Sequence, residues 1–127
     1  MRLGIFGTGA IGVLLTYKLI KAGHNPFIYS RGESLSALQE RGLIVHSEDS
    51  IDVLTPIEYS ILNSEQSLDI AIICCKQNSV SELTIIAEKH LASDGFVIAI
   101  QNGLGHLDRV ASVVGRGRTI GACITHG

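Results

Sequence analysis

A chain of 127 residues, 46% apolar and 17% charged, is sized for one domain with an ample core. A formal net charge of -2, with lysines and arginines scattered, argues against a nucleic-acid partner. No apolar run approaches the roughly 20 residues that span a bilayer, and Met1-Arg2 leads straight into a strand rather than a signal peptide; no membrane association and a cytoplasmic location are expected.

Arg2-Leu3-Gly4-Ile5-Phe6 reads as a short apolar strand. Gly7-Thr8-Gly9-Ala10-Ile11-Gly12 follows and fits G-x-G-x-x-G. Val13, Leu14, Leu15, Tyr17, Leu19 and Ile20 then give a buried helix that ends at Lys21-Ala22-Gly23. In a chain with 14 glycines the pattern takes its meaning from this setting of strand, glycine turn and helix, which signals a dinucleotide site. Gly7 permits the tight turn, Gly9 lets a pyrophosphate approach the backbone, and Gly12 lets helix and strand pack closely. The helix aims its free N–H groups and positive dipole end at the phosphates.

Gly23-His24-Asn25-Pro26 stops the helix, and Phe27-Ile28-Tyr29-Ser30 forms a second strand. Enzymes that use NAD usually carry an acid at the end of this strand for the ribose 2′-hydroxyl. Here Tyr29-Ser30-Arg31-Gly32 stands instead. Arg31 would attract a 2′-phosphate and Ser30 could donate a hydrogen bond, which points to NADP(H). Glu33 would be the acid if the strand ended later.

A helix is expected from about Ser34 to Arg41, with Leu35 and Leu38 facing inward and Gly42 ending it. Leu43-Ile44-Val45-His46 and Ile51-Asp52-Val53-Leu54 flank a polar turn and predict an inserted antiparallel hairpin. Pro56 to Gln66 reads as loop. Leu68 to Cys74 is apolar on nearly every residue, as in a central parallel strand covered on both faces. Ser79 or Asn78 would cap a helix to about Leu91, with Glu82 near its positive end. Phe96 to Ile100 is another buried strand. Gln101-Asn102-Gly103-Leu104-Gly105 turns into a helix reaching about Val114, Gly115 to Arg118 is loop, and Thr119 to Ile124 is a last strand.

This order predicts a Rossmann-like α/β fold: a doubly wound, mostly parallel sheet with helices on both faces. Ligands of such sheets lie at the carboxyl ends of the strands. That singles out Gly7–Gly12, Tyr29–Gly32, Cys74–Asn78, Gln101–Gly105 and Ile124–Gly127. Lys76 directly follows the central strand, where phosphate and nicotinamide ribose should lie; otherwise it is a solvated charge. Asn102 holds the equivalent place on the next strand, where its amide can donate and accept, or simply cap the turn. Cys74, Cys75 and Cys123, an odd count with an adjacent pair, form no disulfide framework, and five histidines without ligand spacing predict no metal site.

The glycine loop, Ser30-Arg31, Cys75-Lys76-Gln77, Gln101-Asn102-Gly103-Leu104-Gly105 and Gly121-Ala122-Cys123-Ile124-Thr125-His126-Gly127, in that order, resemble the ketopantoate reductase (2-dehydropantoate 2-reductase) family over the whole chain. The resemblance implies an NADPH-dependent oxidoreductase that reduces a small 2-keto acid, 2-dehydropantoate, to pantoate on the route to pantothenate and coenzyme A. It implies that Gly7, Thr8, Gly9, Ala10, Ile11, Gly12, Ser30, Arg31, Lys76, Asn102 and Gly103 hold NADP(H), with Arg31 at the 2′-phosphate and Lys76 and Asn102 near the reacting carbon. Members of that family are much longer and have a helical C-terminal domain carrying the catalytic lysine. Residues 1–127 are therefore expected to be the NADP-binding domain alone, without catalytic residues of their own, inactive in isolation and able to form a homodimer. The alternatives from the residues are a nucleotide-sensing regulatory module, or a related reductase of another ketone or imine.

Overall fold

The computed structural model describes residues 1–7, 9–46, 50–54, 59–75, 79–101 and 107–123. Among the described residues eight strands and four α-helices follow one another: β1 (Leu3–Phe6), α1 (Ala10–Lys21), β2 (Phe27–Tyr29), α2 (Gly32–Glu40), β3 (Leu43–His46), β4 (Ile51–Leu54), β5 (Ser60–Ile61), β6 (Leu68–Ile73), α3 (Val80–His90), β7 (Leu91–Gln101), α4 (Leu107–Val114) and β8 (Thr119–Cys123). Six of the strands form one sheet in the order β5-β2-β1-β6-β7-β8, and every pairing in it is parallel. Numbered within that sheet, the order is 3-2-1-4-5-6, that of dinucleotide-binding domains. The order reverses between β1 and β6, so their carboxyl ends flank the crevice in which such sheets take ligands.

Burial follows the pleat. Leu3 and Ile5 of β1, with Ile70 and Ile72 of β6, face α1 through Ile11, Leu15 and Leu19. Phe6, Ala71, Ile73, Val97 and Ala99 face the other way, onto Val80, Leu83 and Ala87 of α3 and Val110 and Val114 of α4. Both faces of the central strands are thus apolar, as the continuous run from Leu68 predicts. Along β7 and β8, on the α1 side, cover is thinner: Phe96, Ile98 and Ile100 are half-buried, and Ile120, which pairs with Ile98, is 48% exposed.

The helix stop at Gly23 takes the expected form. Gly23 adopts φ 95°, its N–H bonds the Ile20 carbonyl, and the His24 N–H bonds the Leu19 carbonyl. The hairpin β3–β4 is antiparallel and forms its own two-stranded sheet, tied to α1 by the Tyr17 hydroxyl, which donates to Asp52 at 2.9 Å.

Four expectations need correction. The strand expected over Phe96 to Ile100 is longer: β7 follows α3 directly at Leu91, which pairs with Leu68, and runs to Gln101. The stretch Pro56 to Gln66 is not all loop, because Ser60 and Ile61 form β5 at the sheet edge. The Ser60 N–H donates to the Pro26 carbonyl and the Leu62 N–H to the Ile28 carbonyl. Buried Tyr59 anchors that entry by donating to the Leu38 carbonyl at 2.9 Å. The stretch from Gly115 to Arg118 contains a 3-10 turn at Arg116–Arg118, from which Arg118 donates to the carbonyls of Gly95 and Ala92. Finally, α2 begins at Gly32 rather than near Ser34; Gly32 takes φ 62°, which glycine adopts readily, and turns the chain from the extended Arg31 into the helix. Among the described residues no helix is long and apolar enough to cross a membrane.

Candidate functional site

The site is built at the carboxyl end of β1. Gly7 takes φ 117°, and a side chain there would run into the Cys74 carbonyl at the end of β6. A Cβ at Gly12 would collide with the Gly7 carbonyl and approach the Cys74 sulfur at 3.2 Å. These two glycines let the turn, the first turn of α1 and β6 meet. Gly9 differs: nothing lies within 4 Å of a Cβ built on it, and its φ of -71° suits any residue. It is the N-cap of α1, whose first turn holds no acidic residue, so the helix presents an unneutralised positive end.

Cys74 secures the junction. Its thiol donates to the carbonyls of Phe6 and Gly7 at 3.6 and 3.5 Å. Burial, with Cys75 adding to it, pushes that thiol up to about 12, so it stays protonated at neutral pH. Cys75 is half-buried beside it.

A cavity of about 220 Å³ opens at the crevice, with Gly7 on one wall, Tyr29, Ser30 and Arg31 from the end of β2 on another, and Cys75, Ser79 and Leu83 from the β6–α3 side on a third. That is room for part of a nucleotide rather than a whole dinucleotide. Tyr29 stacks on buried Phe6, with ring centroids 5.4 Å apart. Ser30 Oγ is buried and has no hydrogen-bond partner, the signature of a group that awaits one. Arg31 extends from the last residue before α2 and forms an ion pair with Glu82 in the first turn of α3, at 2.5 Å. The hydrogen bond to Glu82, then its charge, raises the Arg31 pKa, and the same bond lowers that of Glu82. A larger cavity of about 310 Å³, between α1, α2 and β3 and lined by Val13, Leu38 and Leu43, contains none of the expected site residues.

The structure thus brings Gly7, Ser30 and Arg31 to one cavity and sets Gly9, Ala10, Ile11 and Gly12 at the adjoining helix start. Thr8, Lys76, Asn102 and Gly103 lie outside the described residues. Sequence reasoning missed Glu82 as the partner of Arg31, having weighed Glu33 as the local acid; Glu33 lies exposed in the first turn of α2. It also missed the cavity-facing Ser79 and Leu83. For those two the signal was available: residues 79 and 83 stand at helical i and i+4 spacing in the turn that follows the central strand.

The parallel sheet, its reversal point and the glycine turn placed there define a Rossmann-like α/β domain of the oxidoreductase type. The chain belongs to the ketopantoate reductase family, whose model, described as "Ketopantoate reductase PanE/ApbA", matches residues 3–127. It is 29% identical over 127 residues to the 2-dehydropantoate 2-reductase of Pyrococcus abyssi, covering 100% of this chain and 41% of that protein. The crystal structure of 2-dehydropantoate 2-reductase from Geobacter metallireducens GS-15 superposes with a TM-score of 0.81 at 24% identity, over 95% of this chain and 40% of that one. D-mandelate dehydrogenase in ternary complex with NADH and anilino(oxo)acetate gives 0.82 at 20% identity, over 94% of this chain and 39% of that one. Both structural likenesses concern the fold. The chain spans about two fifths of the length of the relatives it matches.

Proposed function

We propose that this chain forms the NADP(H)-binding half of a reductase that converts 2-dehydropantoate to pantoate. The observation that carries the reading is the end of β2, where Arg31 and the unpartnered, buried Ser30 Oγ share a cavity at the sheet's reversal point. The residues fit the cofactor: Gly9 leaves open space before the bare N-terminus of α1 for a pyrophosphate, and Ser30 and Arg31 offer donors to a 2′-phosphate. Tyr29 and Leu83 offer apolar surface to the base. When bound, NADPH supplies the hydride that the ketone carbon accepts.

Lys76 and Asn102, with Gly103, are assigned to the nicotinamide and substrate edge by family resemblance. Carbonyl reduction also needs a donor that stabilises or protonates the developing alkoxide. The family's catalytic lysine lies beyond the stretch that these 127 residues match, so residues 1–127 bind cofactor without significant turnover. The assay is NADPH oxidation with and without 2-dehydropantoate; turnover by these residues at the rate of a longer family member would refute the division of labour. Cofactor choice is tested by fluorescence titration with NADPH and NADH. A charge-assisted contact from Arg31, worth about 1.5 kcal/mol or more, predicts a preference for NADPH on the order of tenfold or more, most of it lost in Arg31→Ala. A preference for NADPH that survives unchanged in Arg31→Ala would contradict the assignment.

A further inference from the structure

We propose that Glu82 sets the cofactor preference of this site by competing with the 2′-phosphate for Arg31. The inference rests on the assignment of Arg31 to that phosphate. Glu82 sits in the first turn of α3, where the helix dipole favours a carboxylate. Ser79 and Leu83 of the same turn line the cavity together with Arg31, and the carboxylate meets the Arg31 guanidinium from that side. From there it holds Arg31 through a short, charge-assisted contact between Oε1 and Nη1.

Two consequences oppose NADPH and leave NADH untouched. The guanidinium charge is already matched, so a 2′-phosphate must displace the carboxylate or share the arginine with it. The phosphate then carries about two negative charges next to a third. NADH brings a neutral 2′-hydroxyl, which the ion pair tolerates as it stands. The pair is a tuning device and not a block, because both side chains are more than half exposed, at 59% and 52%, and exposed pairs yield readily to a stronger ligand. The sequence pattern of arginine without an adjacent acid therefore overstates the preference for NADP: the acid is supplied from a different helix.

The experiment compares the parent protein with Glu82→Gln, Arg31→Ala and the double variant, by fluorescence titration with NADPH and with NADH. Glu82→Gln keeps the shape and removes the charge. It should tighten NADPH roughly three- to tenfold and change NADH by less than about twofold, with the NADPH gain shrinking as salt is added. In the Arg31→Ala background the same substitution should give little of that gain. Weaker NADPH binding by Glu82→Gln would overturn the inference by showing that the carboxylate positions Arg31 instead. An equal gain with and without Arg31 would also overturn it, as general electrostatics rather than competition. If Arg31→Ala leaves the NADPH-to-NADH ratio unchanged, the assignment of Arg31 fails, and the inference with it.

Discussion

Gly9 and Gly12 belong to one motif, yet the structure gives them opposite sensitivities. An alanine at Gly9 meets nothing within 4 Å and keeps an ordinary φ of -71°. Its cost as an N-cap, about 0.5 kcal/mol, is offset by about 0.4–1 kcal/mol from the stiffer unfolded chain, so the melting temperature should stay within about 2 °C of the parent. Its methyl group stands in the space assigned to the pyrophosphate, so NADPH affinity should fall on the order of tenfold or more, since backbone approach and methyl cannot share that space. An alanine at Gly12 collides with the Gly7 carbonyl, a backbone atom of a turn that Cys74 also grips. Overpacking against backbone costs at least about 1–3 kcal/mol, or roughly 4–12 °C for a domain of this size. The assay pairs thermal melts, followed by circular dichroism, with NADPH titrations of both variants. The reasoning is refuted if Gly9→Ala melts well below Gly12→Ala, or if Gly9→Ala binds NADPH as tightly as the parent.

Cys74 supplies a pH dependence. Its folded-state pKa is raised from 9.0 to about 12, so the stabilisation it represents is complete below pH 9 and is lost as pH rises through that window. Urea midpoints measured on either side of pH 9 should show the loss in the parent and a smaller one in Cys74→Ala. Tyr59→Phe removes the buried donor to the Leu38 carbonyl and should cost about 1–2 kcal/mol, read as a lower urea midpoint with an unchanged slope. Ile120, exposed beside the half-buried Ile98, should drive self-association, so Ile120→Glu should shift sedimentation toward monomer without lowering the melting temperature.

Much of the fold was legible because its signals are local. The run from Leu68 to Cys74, the glycine turn after Phe6 and the stop at Gly23 each declare themselves within a few residues, and order alone then implies a parallel sheet. β5 was not legible, because two residues cannot show a period and Ser60-Ile61 is held in place by backbone groups of Pro26 and Ile28, far away in sequence. The site divides in the same way. Gly7, Ser30 and Arg31 were readable from their place at strand ends. Glu82 was not, since its meeting with Arg31 depends on how α3 packs against β6 and so faces the end of β2, and no spacing between residues 31 and 82 encodes that. Ser30 became informative once its hydroxyl proved buried and unpartnered.

The central claim is that the crevice at the ends of β1, β2 and β6 holds NADP(H). Amide hydrogen exchange with and without NADPH tests it most directly. Slowed exchange is predicted at residues 9–13, 30–34 and 79–83, the start of α1, the end of β2 and the start of α3. Protection confined to the groove around Leu38 and Leu43, or none at saturating NADPH, would contradict it.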